Sequence, residues 1–185
     1  AGPEADLVAA TYADASLHEY YYNESIFQDG ASLPHSLTGI YDETKQRFAT
    51  FCYDRDGRAI RSEHANGIDG VQLVREAGGS VAVTGPMKAV HRYRFAEVRG
   101  VRRLVGVDQP GGAGCGAANS KIEYDDNGLV SGRVDFDGRV MTYRYDAEGN
   151  EIERTEAAAT PTARQTTIAW DAVLRRPTRI TSPGR

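Results

Sequence analysis

The chain has 185 residues, enough for one domain or a segment of something longer, and a formal charge of −4 at pH 7. That charge, without any Lys/Arg stripe, gives no electrostatic case for nucleic acid, and no apolar run approaches the roughly 18–20 residues that span a bilayer. Tyrosines outnumber phenylalanines ten to five, which suits a sheet with one partly wet face, where the ring packs and the hydroxyl finds a partner.

The start, Ala1-Gly2-Pro3-Glu4, has neither the basic nor the apolar region of a signal peptide. Residues 1–10 read as a poorly defined lead, its first positions an expression-tag remnant. Thr11-Tyr12-Ala13-Asp14 predicts a turn, and the strand after it puts Tyr20 and Tyr22 on one face and Tyr21 on the other. Phe27-Gln28-Asp29-Gly30 closes a loop. Leu37–Ile40 leads through Tyr41-Asp42-Glu43 to a strand around Arg47–Tyr53. Ile60–His64 follows, with Asn66-Gly67 as the next turn. Val71–Glu76 and Val81–Thr84 make a hairpin about Gly78-Gly79. Val90–Val98 and Arg103–Val107 flank Gly100, and the glycines of 110–120 predict a loop. Strands resume at Lys121–Tyr124 and run through Thr155. Pro161 and its threonines make 157–163 a loop, and Gln165–Trp170 and Arg179–Ser182 are the last strands. Almost no helix is expected.

One pattern organises these elements. Tyr145-Asp146-Ala147-Glu148-Gly149 has relatives at Tyr53-Asp54-Arg55-Asp56-Gly57 and Tyr124-Asp125-Asp126-Asn127-Gly128, and a shortened form at Phe136-Asp137-Gly138. Trp170-Asp171 takes the aromatic-acid place once more. The last two tyrosine copies lie about 21 residues apart, room for two short strands and their turns. Asp suits the first position of a type I turn, where its carboxylate accepts local N–H groups. Gly three residues later supplies the positive φ that closes the hairpin. Around the turns, residues alternate as strands do: Met141, Tyr143 and Tyr145 oppose Val140, Thr142 and Arg144. Such hairpins cannot bury an aromatic face alone, so they are expected to stack side by side into a larger sheet.

Chemistry finds little support. Asp54-Arg55-Asp56-Gly57 and Asp125-Asp126-Asn127 resemble the start of a calcium loop but lack its remaining ligands, so no metal site is expected. His18, His35, His64 and His91 have no metal-ligand spacing. No nucleophile elbow supports a serine triad, and the glycine clusters lack the lysine of a phosphate loop. No catalytic residue, cofactor or enzyme activity is assigned. Tyr143 and Trp170 are the candidates for stacking on sugar rings, against the commoner reading as cross-strand packing. Cys52 and Cys115 pair only if the fold brings their Cα atoms within about 7 Å; free or packing thiols are the reading preferred.

The repeated turns, with Leu33-Pro34-His35-Ser36-Leu37-Thr38-Gly39-Ile40, Ser62-Glu63-His64-Ala65 and Ile180-Thr181-Ser182-Pro183-Gly184-Arg185, resemble the YD-repeat region of bacterial Rhs proteins. The resemblance spans 11–185. It implies an all-β fold: successive antiparallel hairpins forming a curved, extended sheet that spirals into a hollow shell. In that family the shell encloses a variable C-terminal toxin delivered to neighbouring cells, often by a contractile secretion system. The implied partners are the rest of the shell, the enclosed toxin and secretion-system spike proteins, and the implied location is secreted or cell-surface. Relatives carry a Cys-x-x-Cys pair near Cys115, and Gly112 stands here where its first cysteine would be. The alternative is a carbohydrate- or cell-surface-binding module using exposed aromatics. A fragment of such a sheet is expected to self-associate through its free edges, and a strictly monomeric species by light scattering at high concentration would count against it.

Overall fold

Alternating side chains and Asp-initiated turns leave the backbone one economical solution, the antiparallel hairpin, and the computed structural model repeats it throughout. It describes residues 6–112, 114 and 116–183. Among these there is no α-helix, only two single 3₁₀ turns at Ser25–Phe27 and Ala65–Gly67. No described helix is long and apolar enough to cross a membrane.

The chain divides into two units, Ala1–Glu76 with Val81–Val90, and Ala77–Ser80 with His91–Arg185. The first carries β1 (Ala9–Thr11), β2 (Leu17–Tyr22), β3 (Leu37–Tyr41), β4 (Arg47–Tyr53), β5 (Ala59–His64), β6 (Val71–Arg75) and β7 (Val81–Thr84). The second carries β8 (Val90–Val98), β9 (Val101–Gln109), β10 (Ala118–Tyr124), β11 (Val130–Val134), β12 (Val140–Tyr145), β13 (Glu151–Glu156), β14 (Arg164–Trp170) and β15 (Pro177–Thr181). Within each unit every strand pairs antiparallel with its successor, so order in the sheet is order in the chain.

Several strand boundaries depart from the sequence reading. Ala9 and Ala10, expected in an unstructured lead, pair with Glu19 and His18 as part of β1; the tag remnant expected at the first positions lies outside the described residues. β9 runs on to Gln109, just before the expected glycine-rich loop, and β10 starts at Ala118, which shortens that loop from its C-terminal side. Ladder pairing outweighs local composition at these ends, because an unpaired N–H or C=O costs more than a weak propensity gains.

Within each unit the strands form one layer. Among the described residues the fully buried side chains are polar, Gln28 and Thr38, and the buried apolar residues are small, Ala49 and Ala82. A sheet without a covering second layer cannot draw its stability from a thick apolar core. Cross-strand pairs and hydrogen bonds must carry more of it.

Candidate functional site

The strongest local arrangement is a relay of hydrogen bonds that ties aromatic turn residues at one end of the strands to carbonyls of earlier strands. Tyr145 ends β12 and pairs with Glu151 at a register shift, where β13 accommodates one extra residue. Its hydroxyl donates at 2.8 Å to the carbonyl of Val130, and Val130 is the residue paired with Tyr124. Trp170 ends β14 at the same kind of shift, and its indole N–H donates at 2.8 Å to the carbonyl of Glu151, the partner of Tyr145. Upstream, Tyr124 donates at 2.8 Å to Leu104, the residue paired with Phe95.

The first unit repeats the device. Tyr53 donates at 2.8 Å to the carbonyl of Leu37, the partner of Tyr22, and Tyr22 reaches back to Leu7 at 3.1 Å. Arg75 occupies the next place and donates to Ala59, the partner of Tyr53, at a longer 3.4 Å. Phenylalanine could pack here but could not donate, which accounts physically for the excess of tyrosine. Burial pushes the phenols of Tyr145 and Tyr53 up from their ordinary value, so they stay protonated donors.

Next to each aromatic an aspartate ties the turn. Oδ1 of Asp54 accepts the N–H groups of Asp56 and Arg58 at 3.0 and 2.8 Å. Asp125 accepts those of Asn127 and Leu129, and Asp146 those of Glu148 and Asn150. The Asn150 side-chain hydrogen bond, aided by these amides, holds the Asp146 carboxyl below the usual range. Gly57, Gly128 and Gly149 each close the turn at a φ near +80° with an N–H donated to the Asp carbonyl.

The turn expected at Phe136-Asp137-Gly138 is organised differently. Asp135 is the capping carboxylate, accepting from Asp137 and Arg139 at 2.9 Å each, and Gly138 donates to the carbonyl of Asp135. The copy is therefore Val134-Asp135-Phe136-Asp137-Gly138, full length with Val in the aromatic place. Asp137 pairs with Arg139 in solvent at 2.8 Å. One copy escaped the sequence reading: Asp42 accepts from Thr44 and Gln46, with Lys45 where glycine would be, at φ +64°. That conformation is uphill for any residue with a Cβ. Lys45→Gly is expected to stabilise the protein by about 0.5–1 kcal/mol, read as a rise in thermal midpoint.

A polar knot that sequence reasoning missed sits in the first unit. Arg47 forks onto Glu24, with Nη1 and Nη2 at 3.0 and 2.8 Å from its two oxygens. Arg47 also donates to the Thr38 carbonyl at 2.7 Å and the Thr50 hydroxyl at 3.0 Å. Buried Thr38 donates its own hydroxyl to Glu24 at 2.6 Å. The guanidinium lies 4.4 Å from the centre of the Phe27 ring and directly over Gly39, where any Cβ would collide with it. The same device recurs in the second unit, where Arg94 lies over Gly106 and donates to the Ser120 carbonyl at 3.1 Å. A glycine inside a strand pattern was the available signal.

The structure offers the sugar-stacking candidates unequally. Trp170 is half-buried with its N–H already engaged, and Tyr143 is half-buried with its hydroxyl 3.3 Å from the Met141 sulfur. Among the described residues no cluster of His, Cys, Asp or Glu could hold a metal ion. Cys52 is free and half-buried, and burial raises its thiol pKa. Cys115, and with it the pairing considered above, lies outside the described residues.

Residues 124–161 match the RHS Repeat family model. The match covers the hairpins of Tyr124, Asp135 and Tyr145. No curated protein matches the chain. Among solved structures, the crystal structure of TcdB2-TccC3-Cdc42 is 9% identical with a TM-score of 0.36. The Tc holotoxin pore of Photorhabdus luminescens, carrying a TccC3 mutation, is 11% identical with a TM-score of 0.29. Each comparison covers 94% of this chain and 13% of the other. At those scores the two carry no argument about function.

Proposed function

We propose that this chain is a stretch of wall from an Rhs-type shell, which encloses a C-terminal toxin of the same polypeptide and acts outside the cell that makes it. The observation supporting this reading most is the relay from Tyr124 to Tyr145 to Trp170, which runs through the RHS repeat at 124–161. Tyr124, Tyr145 and Trp170 are each held by a carbonyl of an earlier strand, so the unit is built to be added to. Its work in this reading is to keep an enclosed chain from solvent and protease, with no reaction of its own. Delivery by a contractile secretion system, with contact to its spike proteins, belongs to the same proposal.

The test is the whole reading frame that contains this sequence, purified and treated with a broad-specificity protease. A closed shell in electron micrographs is expected, with a C-terminal segment that resists cleavage until the shell is denatured. An open particle, or a C-terminal segment cleaved as fast as in isolation, would overturn the reading. Glycan-array screening addresses the alternative, and no saturable binding that Trp170→Ala or Tyr143→Ala abolishes is expected.

A further inference from the structure

The aromatic clasps close one end of the strands in the second unit; the opposite end carries none. There, around the β11–β12 turn and the β13–β14 connection, lies a cavity of about 800 Å³, within the range that takes a ligand or a short peptide. One cross-strand rung runs through it: Ile122 pairs with Arg133, Arg133 with Met141, Met141 with Glu156, and Glu156 with Arg164. Residues directly opposite share a face, so five strands present these side chains together. At the ~4.8 Å strand spacing the rung is about 19 Å long, the reach of roughly six extended residues.

The cavity lining is rich in cations. Lys121, Arg133, Arg139 and Arg164 line the cavity against Asp135 and Glu156, a local excess of cations on a chain of net charge −4. Lys121 is taken by Glu123, and Arg139 by Asp135 and Asp137. Arg133 and Arg164 form no ion pair among the described residues. Beside them Phe136 and Met141 stay exposed at 42% and 38%. Unpaired arginines among uncovered apolar side chains are what a surface shows before an oppositely charged, part-apolar partner desolvates it.

We infer that this rung is a docking groove for an extended acidic peptide, whose carboxylates meet Arg133 and Arg164 while its apolar side chains cover Ile122, Met141 and Phe136. The inference does not depend on the shell reading, since it concerns one face of one unit. The probe is a fluorescein-labelled peptide of alternating Glu and Leu, about ten residues long, followed by anisotropy, with an alternating Lys and Leu peptide as control. Saturable binding of the acidic peptide alone is expected, weakened at least about tenfold by Arg133→Glu with Arg164→Glu and lost at high salt. Glu156→Gln removes an opposing charge and is expected to tighten binding about twofold. Circular dichroism checks that the variants fold. Should the reversals unfold, Arg133→Gln with Arg164→Gln carries the same test with a smaller loss. No saturation, equal affinity for the basic peptide, or variants that bind like the parent would overturn the inference. So would light scattering that finds a dimer of this chain split by the double reversal, which would make a second copy the occupant.

Discussion

Arg47→Ala is expected to destabilise the first unit by about 3 kcal/mol, the largest single-site effect in the molecule. The substitution removes a bidentate ion pair, the hydrogen bond to the Thr38 carbonyl and the one to Thr50. It leaves Glu24 holding a charge with Thr38 as its remaining side-chain partner. The Arg47 and Glu24 side chains are only 20% and 28% exposed, so water replaces little of what is lost. An isolated exposed ion pair would be worth well under 1 kcal/mol; a loss that small in urea titration would show the knot to be ornamental. Arg47→Lys keeps the charge without the planar fork and is expected to fall between parent and Ala. Gly39→Ala attacks the same knot from below, because a Cβ there displaces the guanidinium.

The knot also fixes a pH dependence. The hydrogen bond from Arg47, ahead of the one from Thr38, holds the Glu24 carboxyl below its ordinary value of 4.5 despite partial burial. A folded-state pKa below the unfolded one means that the native state favours the ionised form, so the stabilisation is fully present above about pH 4.5. It is lost progressively as pH falls through the depressed value. Asp14, Asp42, Asp146 and Asp171 are lowered by turn hydrogen bonds in the same direction, so acid weakens both units. Thermal midpoints measured from pH 7 down to 3 should stay level and then drop below about pH 4.5. In Glu24→Gln the drop should be shallower, since one of the linked protons is gone.

Much of this fold was legible because its turns are written in residue type. Asp54-Gly57, Asp125-Gly128 and Asp146-Gly149 name their own conformations, and the alternation between them leaves little choice but strand. Legibility failed where the repeat is degenerate. Asp135 is hard to recognise because Val134 stands where the aromatic cue belongs, and Phe136-Asp137 offers a nearer match to the motif. Lys45 hid another copy, since nothing in a lysine announces a positive φ. The clasps were invisible for a deeper reason. Tyr145 sits at a register shift, as Tyr22, Tyr53, Tyr124 and Trp170 do, and a shift of one residue cannot be read from alternation. Arg47 and Glu24 are far apart in sequence, and only Gly39 hinted that something lies across the strand.

Tyr145→Phe with Asp146→Ala is the second substitution expected to be large, lowering the urea midpoint further than either change alone. The phenol contributes about 1 kcal/mol through its bond to Val130. The carboxylate adds to this by accepting two turn amides, much as a helix-capping residue does. The partners are separate, one in the neighbouring strand and one in the turn itself, so the two losses should nearly add. Hydrogen exchange separates them: Asp146→Ala should speed the amides of Glu148 and Asn150, whereas Tyr145→Phe should loosen the register between β11 and β12. A double variant that unfolds with the parent would mean the clasp is a by-product of packing. If the clasp holds the array together, the same pair of changes at Tyr124-Asp125 should cost about as much. Its effect should reach both neighbouring repeats, since Tyr124 reaches back to Leu104 while its own partner, Val130, receives Tyr145.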